Sequence, residues 1–381
     1  MGTAHRKFGV SAGMAAASIV VLLAGPGLAA WTRPVAAAPE TTAVDLGTLP
    51  GGTGSGVTGV NPAGQIVGYS TVSGAVGGKA VLWDRSGPAS FRITDLGTLP
   101  GGEGSFASGV NAAGLVVGSS GVTGASHAAV WTPTASGSFR VADLGTLPGG
   151  LLSSAFHLND AGVIAGYSDT AQAVTHAAVW TPTGSGSYRV TDLGTLPGDE
   201  TSTAKAINAG GAIAGFSNAP GGIGHAVVWT PTGSGSYGMT NLGSITPDGT
   251  SDALALNDAG QVAGDAASAD GTVDRAVVWT PTGSGSYRIT DLGALPGDTL
   301  AFAFAIDSNG RVAGLSANAA ADSHGAVWSP TGSGSFSVDH LQPLPGTAFS
   351  SASAINDAGL VAGSSFGSAG PERAVAWITE Q

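Results

Sequence analysis

A basic residue stands four positions before a tryptophan seven times in this chain: Lys79/Trp83, His127/Trp131, His176/Trp180, His225/Trp229, Arg275/Trp279, His324/Trp328 and Arg373/Trp377. In most copies an aspartate follows after a short linker, as Asp143 follows His127 and Asp192 follows His176. A histidine held by an aspartate is the orienting half of a nucleophilic triad. That chemistry needs one such pair, set against one nucleophile. Here the pair recurs along the whole chain, and Arg or Lys replaces His. Arginine keeps its proton and cannot act as a general base. The pairs are therefore read as locks between neighbouring strands. If Trp131 faces Phe139 across a hairpin, His127 falls opposite Asp143. The same register sets Lys79 opposite Asp95, His176 opposite Asp192 and Arg275 opposite Asp291. Cross-strand pairs of this kind contribute roughly 0.2–1 kcal/mol each.

Other chemistry has to come from residues that break the pattern. No nucleophile elbow, His-Glu-x-x-His, phosphate loop or Asp-x-Asp-x-Asp-Gly loop occurs. There are no cysteines, which removes thiol nucleophiles, disulfides and cysteine zinc sites. Acidic residues do gather in one sector: Asp199 and Glu200, then Asp248 and Asp252, then Asp298, at equivalent places in consecutive copies, with Asp270 and Asp274 expected in a loop nearby. Clustered carboxylates suit a cation or a polycation, and plain solvated acidity is the alternative. Phe106, Phe156, Phe302 and Phe304 stand where most copies carry Ser, Thr or Gly. They would either stack on sugars or fill space. His157 and Lys205 each break the pattern once. The candidate ligand-binding set is Asp199, Glu200, Asp248, Asp252, Asp298, Phe302 and Phe304. No catalytic residue, metal site or cofactor is assigned.

What positions these residues is a repeat. The phrase DLGTLPGG begins at Asp45, Asp95 and Asp143 and returns in altered form at Asp192, Asn241, Asp291 and His340, a step of 48 to 50 residues. Each copy holds four short apolar runs between turn residues, and none has a helical period. The first turn carries Asn or Asp first and Gly fourth, from Asn61/Gly64 to Asn356/Gly359. That is type I turn chemistry with a left-handed glycine. Four strands per unit of this length predict an all-β, seven-bladed β-propeller with strands a to d running from inside to outside. A strand d (42–49) precedes the first strand a, and the chain stops after the last strand c (374–379). The N-terminal strand must therefore complete the C-terminal blade. The a–b and c–d turns share one end and are nearly uniform. The b–c and d–a loops share the other and all differ, which is where sites are usually built.

The HA-x-VW step after an IN-x-AG-x-V-x-G pattern, as in His176-Ala177 to Trp180, resembles the HAF-repeat family of extracellular repeat proteins. The resemblance implies secretion and a propeller-like repeat, and implies no catalytic residues. A kelch propeller has a similar period, but its paired glycines are missing from strand b. The formal net charge of −12 argues against a nucleic-acid partner. His5, Arg6 and Lys7 precede an apolar run, and small residues follow, so 1–37 reads as a signal peptide. Residues 38–41 read as a linker and 42–381 as the propeller. The expected partner is an extracellular ligand, glycan or protein. The expected role is a secreted binding scaffold with no membrane association after cleavage. The alternative is an extracellular hydrolase or lyase acting on polysaccharide. Cleavage after Ala37 is favoured over cleavage near Ala30. N-terminal sequencing of culture supernatant should find the mature terminus between Ala30 and Pro39; an intact Met1 in a membrane fraction would contradict it.

Overall fold

The computed structural model describes residues 41–379, except 73–76, 185, 234, 271–272, 284, 333 and 368–369. The expected signal peptide lies outside the described residues, and Thr41 already belongs to the first strand. Seven four-stranded antiparallel sheets form a seven-bladed propeller. Blade 1 runs through Gly52–Val60, Ile66–Val72, Gly78–Gly87 and Ser90–Asp95. Blades 2, 3 and 4 start at Ser105, Ser153 and Thr201; blades 5, 6 and 7 start at Ser251, Leu300 and Phe349. Each strand a touches strand a of the blade on either side, and the seventh touches the first.

Strand type follows from position in the ring. Strands b and c are buried on both faces between neighbouring blades, as in Ile164–Asp169 and Thr175–Pro182. Strand d lies on the rim and is only partly buried, as in Tyr188–Asp192. The seven repeat tryptophans are all at most 1% exposed. They sit in hydrophobic clusters that each span two blades, so the core lies between the sheets. Five indoles also donate to a carbonyl at the end of strand d in the preceding blade, such as Trp229 to Leu193 O at 3.0 Å. Serine hydroxyls add a second bridge. Ser153 Oγ accepts from Ala128 N across blades 2 and 3 at 2.9 Å.

Every strand a carries a bulge just before its Asn or Asp, at Phe156 in blade 3 and Lys205 in blade 4. The bulge turns a strand-a carbonyl toward the glycine of strand b. A Cβ on Gly166 would sit 2.0 Å from Ser154 O, and the seven equivalent glycines all meet a carbonyl at 1.9 or 2.0 Å. This glycine is a matter of space, not of backbone angle.

Closure follows the expectation. The strand Thr41–Asp45 pairs antiparallel with Arg373–Thr379 and supplies strand d of blade 7. Arg373 bonds Asp45 at 2.5 Å. The expected register is corrected by two residues, however. Trp131 faces Val141, Pro133 faces Phe139, and Asp143 faces Ala129. Likewise Asp45 faces Val375. The aromatic ring covers the proline, which leaves the tryptophan free to fill the space between blades. The basic residue reaches its aspartate diagonally, still on one face of the sheet. Strand d is also shorter than expected, ending at Asp45 and not at Leu49.

Deleting 41–49 should abolish cooperative unfolding, because the last blade loses its rim strand and the ring its clasp. Asp45→Ala should cost no more than about 1 kcal/mol, since the pair is half exposed. Gly166→Ala should cost about 3 kcal/mol or more through backbone overlap. Chemical denaturation checks all three.

Candidate functional site

The central channel has two ends, and the sequence treats them differently. At the a–b end, seven turns form one hydrogen-bonded ring. Asn61 Nδ2 donates to Asn111 O at 2.9 Å, Asn111 to Asn159 O, Asn159 to Asn208 O, Asn208 to Asn257 O and Asn257 to Asp307 O. Asn356 closes the circle onto Asn61 O at 3.0 Å. Asp307 has no amide to donate. Arg311 stands in for it: its Nε donates to Asp307 Oδ2 at 2.6 Å while its Nη2 reaches Asn356 O at 3.3 Å. The ring surrounds a cavity of about 220 Å³. His157 lines it in blade 3, where the other blades place only Gly or Ala. Its Nδ1 accepts from Ile207 N at 3.5 Å; the ring is open to the channel, yet the surrounding protein displaces enough water to push its pKa down, so the imidazole enters the cavity neutral.

At the b–c end, the repeated histidines are committed to locks. His127 Nδ1 bonds Asp143 at 2.8 Å and His176 Nδ1 bonds Asp192 at 2.9 Å. In blades 4 and 6 strand d offers Asn241 and His340 in place of Asp, and the lock changes partner. His225 Nδ1 bonds Asp199 at 3.0 Å and His324 Nδ1 bonds Asp298 at 2.9 Å. Both aspartates come from the d–a loop that enters the same blade. Their side chains are about 5% and 4% exposed. Lys79 is corrected too, since it donates to Glu103 O at 3.0 Å and not to Asp95.

The acidic sector therefore divides. Asp199 and Asp298 hold strands together. Glu200 and Asp248 are exposed. Among the described residues no group of three or more His, Asp or Glu has the arrangement of a metal site. Of the phenylalanines, Phe302 is buried and Phe304 half-buried in blade 6. Phe106 packs on Tyr69 with ring centroids 5.2 Å apart.

Asp252 belongs to a different constellation. It faces Asp265 across strands a and b of blade 5. Asp265 in turn faces Ala276, and Asp274 stands two residues before Ala276 on the same sheet face. Asp274 opens strand c and is not a loop residue. Three carboxylates thus share one face of one blade. Lys205, the bulge residue of blade 4, lies alongside, with Nζ 3.9 Å from the centre of the Phe156 ring and 5.6 Å from that of Phe216.

Burial and mutual repulsion set the charges. Asp265 is pushed well up by burial and by the fields of Asp252 and Asp274. Asp274 is raised to about 6, chiefly by burial. Lys205 is lowered to about 8 by burial, against the pull of Asp252. All four retain partial contact with solvent, so the space around them is reachable. Asp274 Oδ1 is fully buried and has no hydrogen-bond partner.

Asp265 was absent from the expected set, although its signal was present. The fourth position of strand b carries Tyr69, Ser119, Tyr167, Phe216, Asp265, Leu315 and Ser364 in turn. Asp265 is the one charged residue in that series.

No family model and no curated protein matches this chain. Solved structures similar to it include a gluconolactonase from Xanthomonas campestris, at 13% identity over 88% of this chain and 89% of that one, TM-score 0.40. The Aleuria aurantia lectin is similar at 12% identity over 87% and 95%, TM-score 0.42. An aldose sugar dehydrogenase from Streptomyces coelicolor is similar at 14% identity over 91% and 100%, TM-score 0.41. Likeness at this level concerns the fold alone.

The perturbed groups make stability depend on pH in a defined direction. Between about 8 and 10.5 the unfolded chain holds the Lys205 proton that the folded chain has lost, so stability rises with pH there. Between 3.8 and about 6 the folded chain holds the Asp274 proton that the unfolded chain has lost, so stability falls as pH rises. Asp265→Asn should raise the melting temperature at pH 7, and the gain should shrink as pH falls through the unfolded value of 3.8, below which the wild-type carboxyl is mostly neutral in both states. Thermal melts above and below that value check this.

Proposed function

We propose that this chain is a secreted, non-enzymatic binding propeller of the HAF-repeat kind, engaging an extracellular ligand at the b–c and d–a end of the ring. One observation supports this most. Repetition fails at that end, while the a–b end keeps one hydrogen-bonded ring through all seven blades. A ring that only had to fold would have no reason to vary at one end. The described His–carboxylate pairs also recur as strand locks, which fits a scaffold better than a nucleophilic enzyme. A hydrolase or lyase remains the competing reading because Asp274 and Lys205 titrate near neutrality, where acid–base groups work best.

The test is to apply the mature protein to immobilised glycans and extracellular proteins, and in parallel to soluble polysaccharides with product analysis. Saturable retention without turnover is expected. Release of oligosaccharides or unsaturated ends would replace this reading with the enzymatic one, and retention on nothing would remove it.

A further inference from the structure

Blade 7 supplies an internal control for blade 5. Glu372 occupies the position that Asp274 occupies, two residues before the strand-c alanine. Glu372 is fully engaged. Its Oε2 accepts from the Tyr69 hydroxyl at 2.7 Å, and its Oε1 accepts from the Ser364 hydroxyl. Both donors stand at the fourth position of strand b, Ser364 in the same blade and Tyr69 in the next one around the ring. An acidic side chain at this place is thus met by two hydroxyl donors.

In blade 5 both donors are missing. The fourth position of strand b is Asp265 in the same blade and Leu315 in the next. Asp265 brings a second carboxylate in place of a hydroxyl, and Leu315 brings a hydrocarbon. Asp274 Oδ1 is left buried without a partner. An unmet buried acceptor costs about 1–3 kcal/mol. Asp252 adds a third acceptor opposite Asp265. Lys205 adds a donor that no acceptor side chain takes up; its head lies over the Phe156 ring. Asp274 Oδ1 is the one buried acceptor left unmatched here, and Asp252, Asp265 and Lys205 keep partial contact with solvent, where groups from outside the chain can meet them.

Their chemistry can be read from the groups that satisfy Glu372. They are neutral O–H donors on separate atoms, close enough together to engage one carboxylate. A hydroxyl of the ligand also accepts, which would occupy the Lys205 ammonium. The Phe216 ring beside Lys205 offers an apolar surface to a C–H face. Vicinal hydroxyls on a ring with apolar faces describe a saccharide.

We infer that Asp252, Asp265, Asp274 and Lys205 form a saccharide-binding site on the blade 4–blade 5 side of the channel. The inference rests on the binding reading above and assigns it a place and a ligand class. A ligand hydroxyl bridges Asp265 and Asp274 in the role that Tyr69 and Ser364 play for Glu372. Asp252 and Lys205 take further hydroxyls on the blade 4 side.

The test is calorimetric titration of the mature protein with glucose, galactose, mannose, fucose and glucosamine, beside putrescine and spermidine. At least one neutral sugar should bind, and Asp265→Asn and Asp274→Asn should each weaken it about ten-fold or more, the loss expected for a hydrogen bond to a charged group. Both variants should fold, since each removes a carboxyl group whose charge burial and its acidic neighbours disfavour; circular dichroism and melting temperature confirm that. Lys205→Met should weaken sugar binding as well. Binding of the diamines without the sugars overturns the saccharide assignment in favour of a cation site. Binding of none of the probes overturns the site. Retention on a glycan or protein surface that survives both Asp substitutions overturns the site and leaves the general binding reading intact; retention on no surface removes both.

Discussion

A propeller blade has two apolar faces and no way to cover either by itself. In this chain strands b and c are buried on both sides only because a neighbour stands on each side. The requirement passes from blade to blade and is met only when the last blade meets the first. Everything else depends on that closure. The tryptophan clusters each need two blades. The ring of asparagine amides needs an unbroken circle of carbonyl acceptors. The chain secures closure by giving its first strand to its last blade, so the two ends of the described chain hold each other and no blade edge is left over.

Where the pattern loses a residue, the loss is made good locally. Asp307 cannot donate into the asparagine ring, and Arg311, held by that same aspartate, donates in its place. Asn241 and His340 cannot serve as the carboxylate of the strand lock, and Asp199 and Asp298 arrive from the entering loop. These repairs are the background against which blade 5 stands out. The excess of carboxylates at Asp252, Asp265 and Asp274 is offset only in part, by Lys205 beside Asp252 and by Arg275 beside Asp274.

Much of this was legible in the sequence, for reasons that are physical. Blade number, strand count and closure follow from turn residues at fixed spacing and from a count that is offset by one. The locks were legible as pairs, yet their register was not, because the choice between Phe139 facing Trp131 and facing Pro133 depends on the length of a loop of Thr, Gly and Ser. The roles of Asp199 and Asp298 were hidden because their partners, His225 and His324, had a nearer candidate position in strand d. Asp265 is hidden because it lies in the middle of a strand, at a position that already varies among Tyr, Ser, Phe and Leu from copy to copy. For Phe302 and Phe304 the sequence leaves stacking on sugars and filling space both open, and the ring geometry buries the first and half-buries the second.

If the blade 5 carboxylates are kept for a ligand and at a cost to folding, then giving blade 5 the residues of blade 3 should separate the two. The triple variant Asp252→Ser, Asp265→Tyr, Asp274→Thr copies Ser154, Tyr167 and Thr175 from their equivalent positions. The most direct measurement is its melting temperature at pH 7 together with its affinity for the ligand of the unaltered protein. The account predicts a higher melting temperature and lost binding. A lower melting temperature with unchanged affinity would show that these carboxylates support the fold and have no part in recognition.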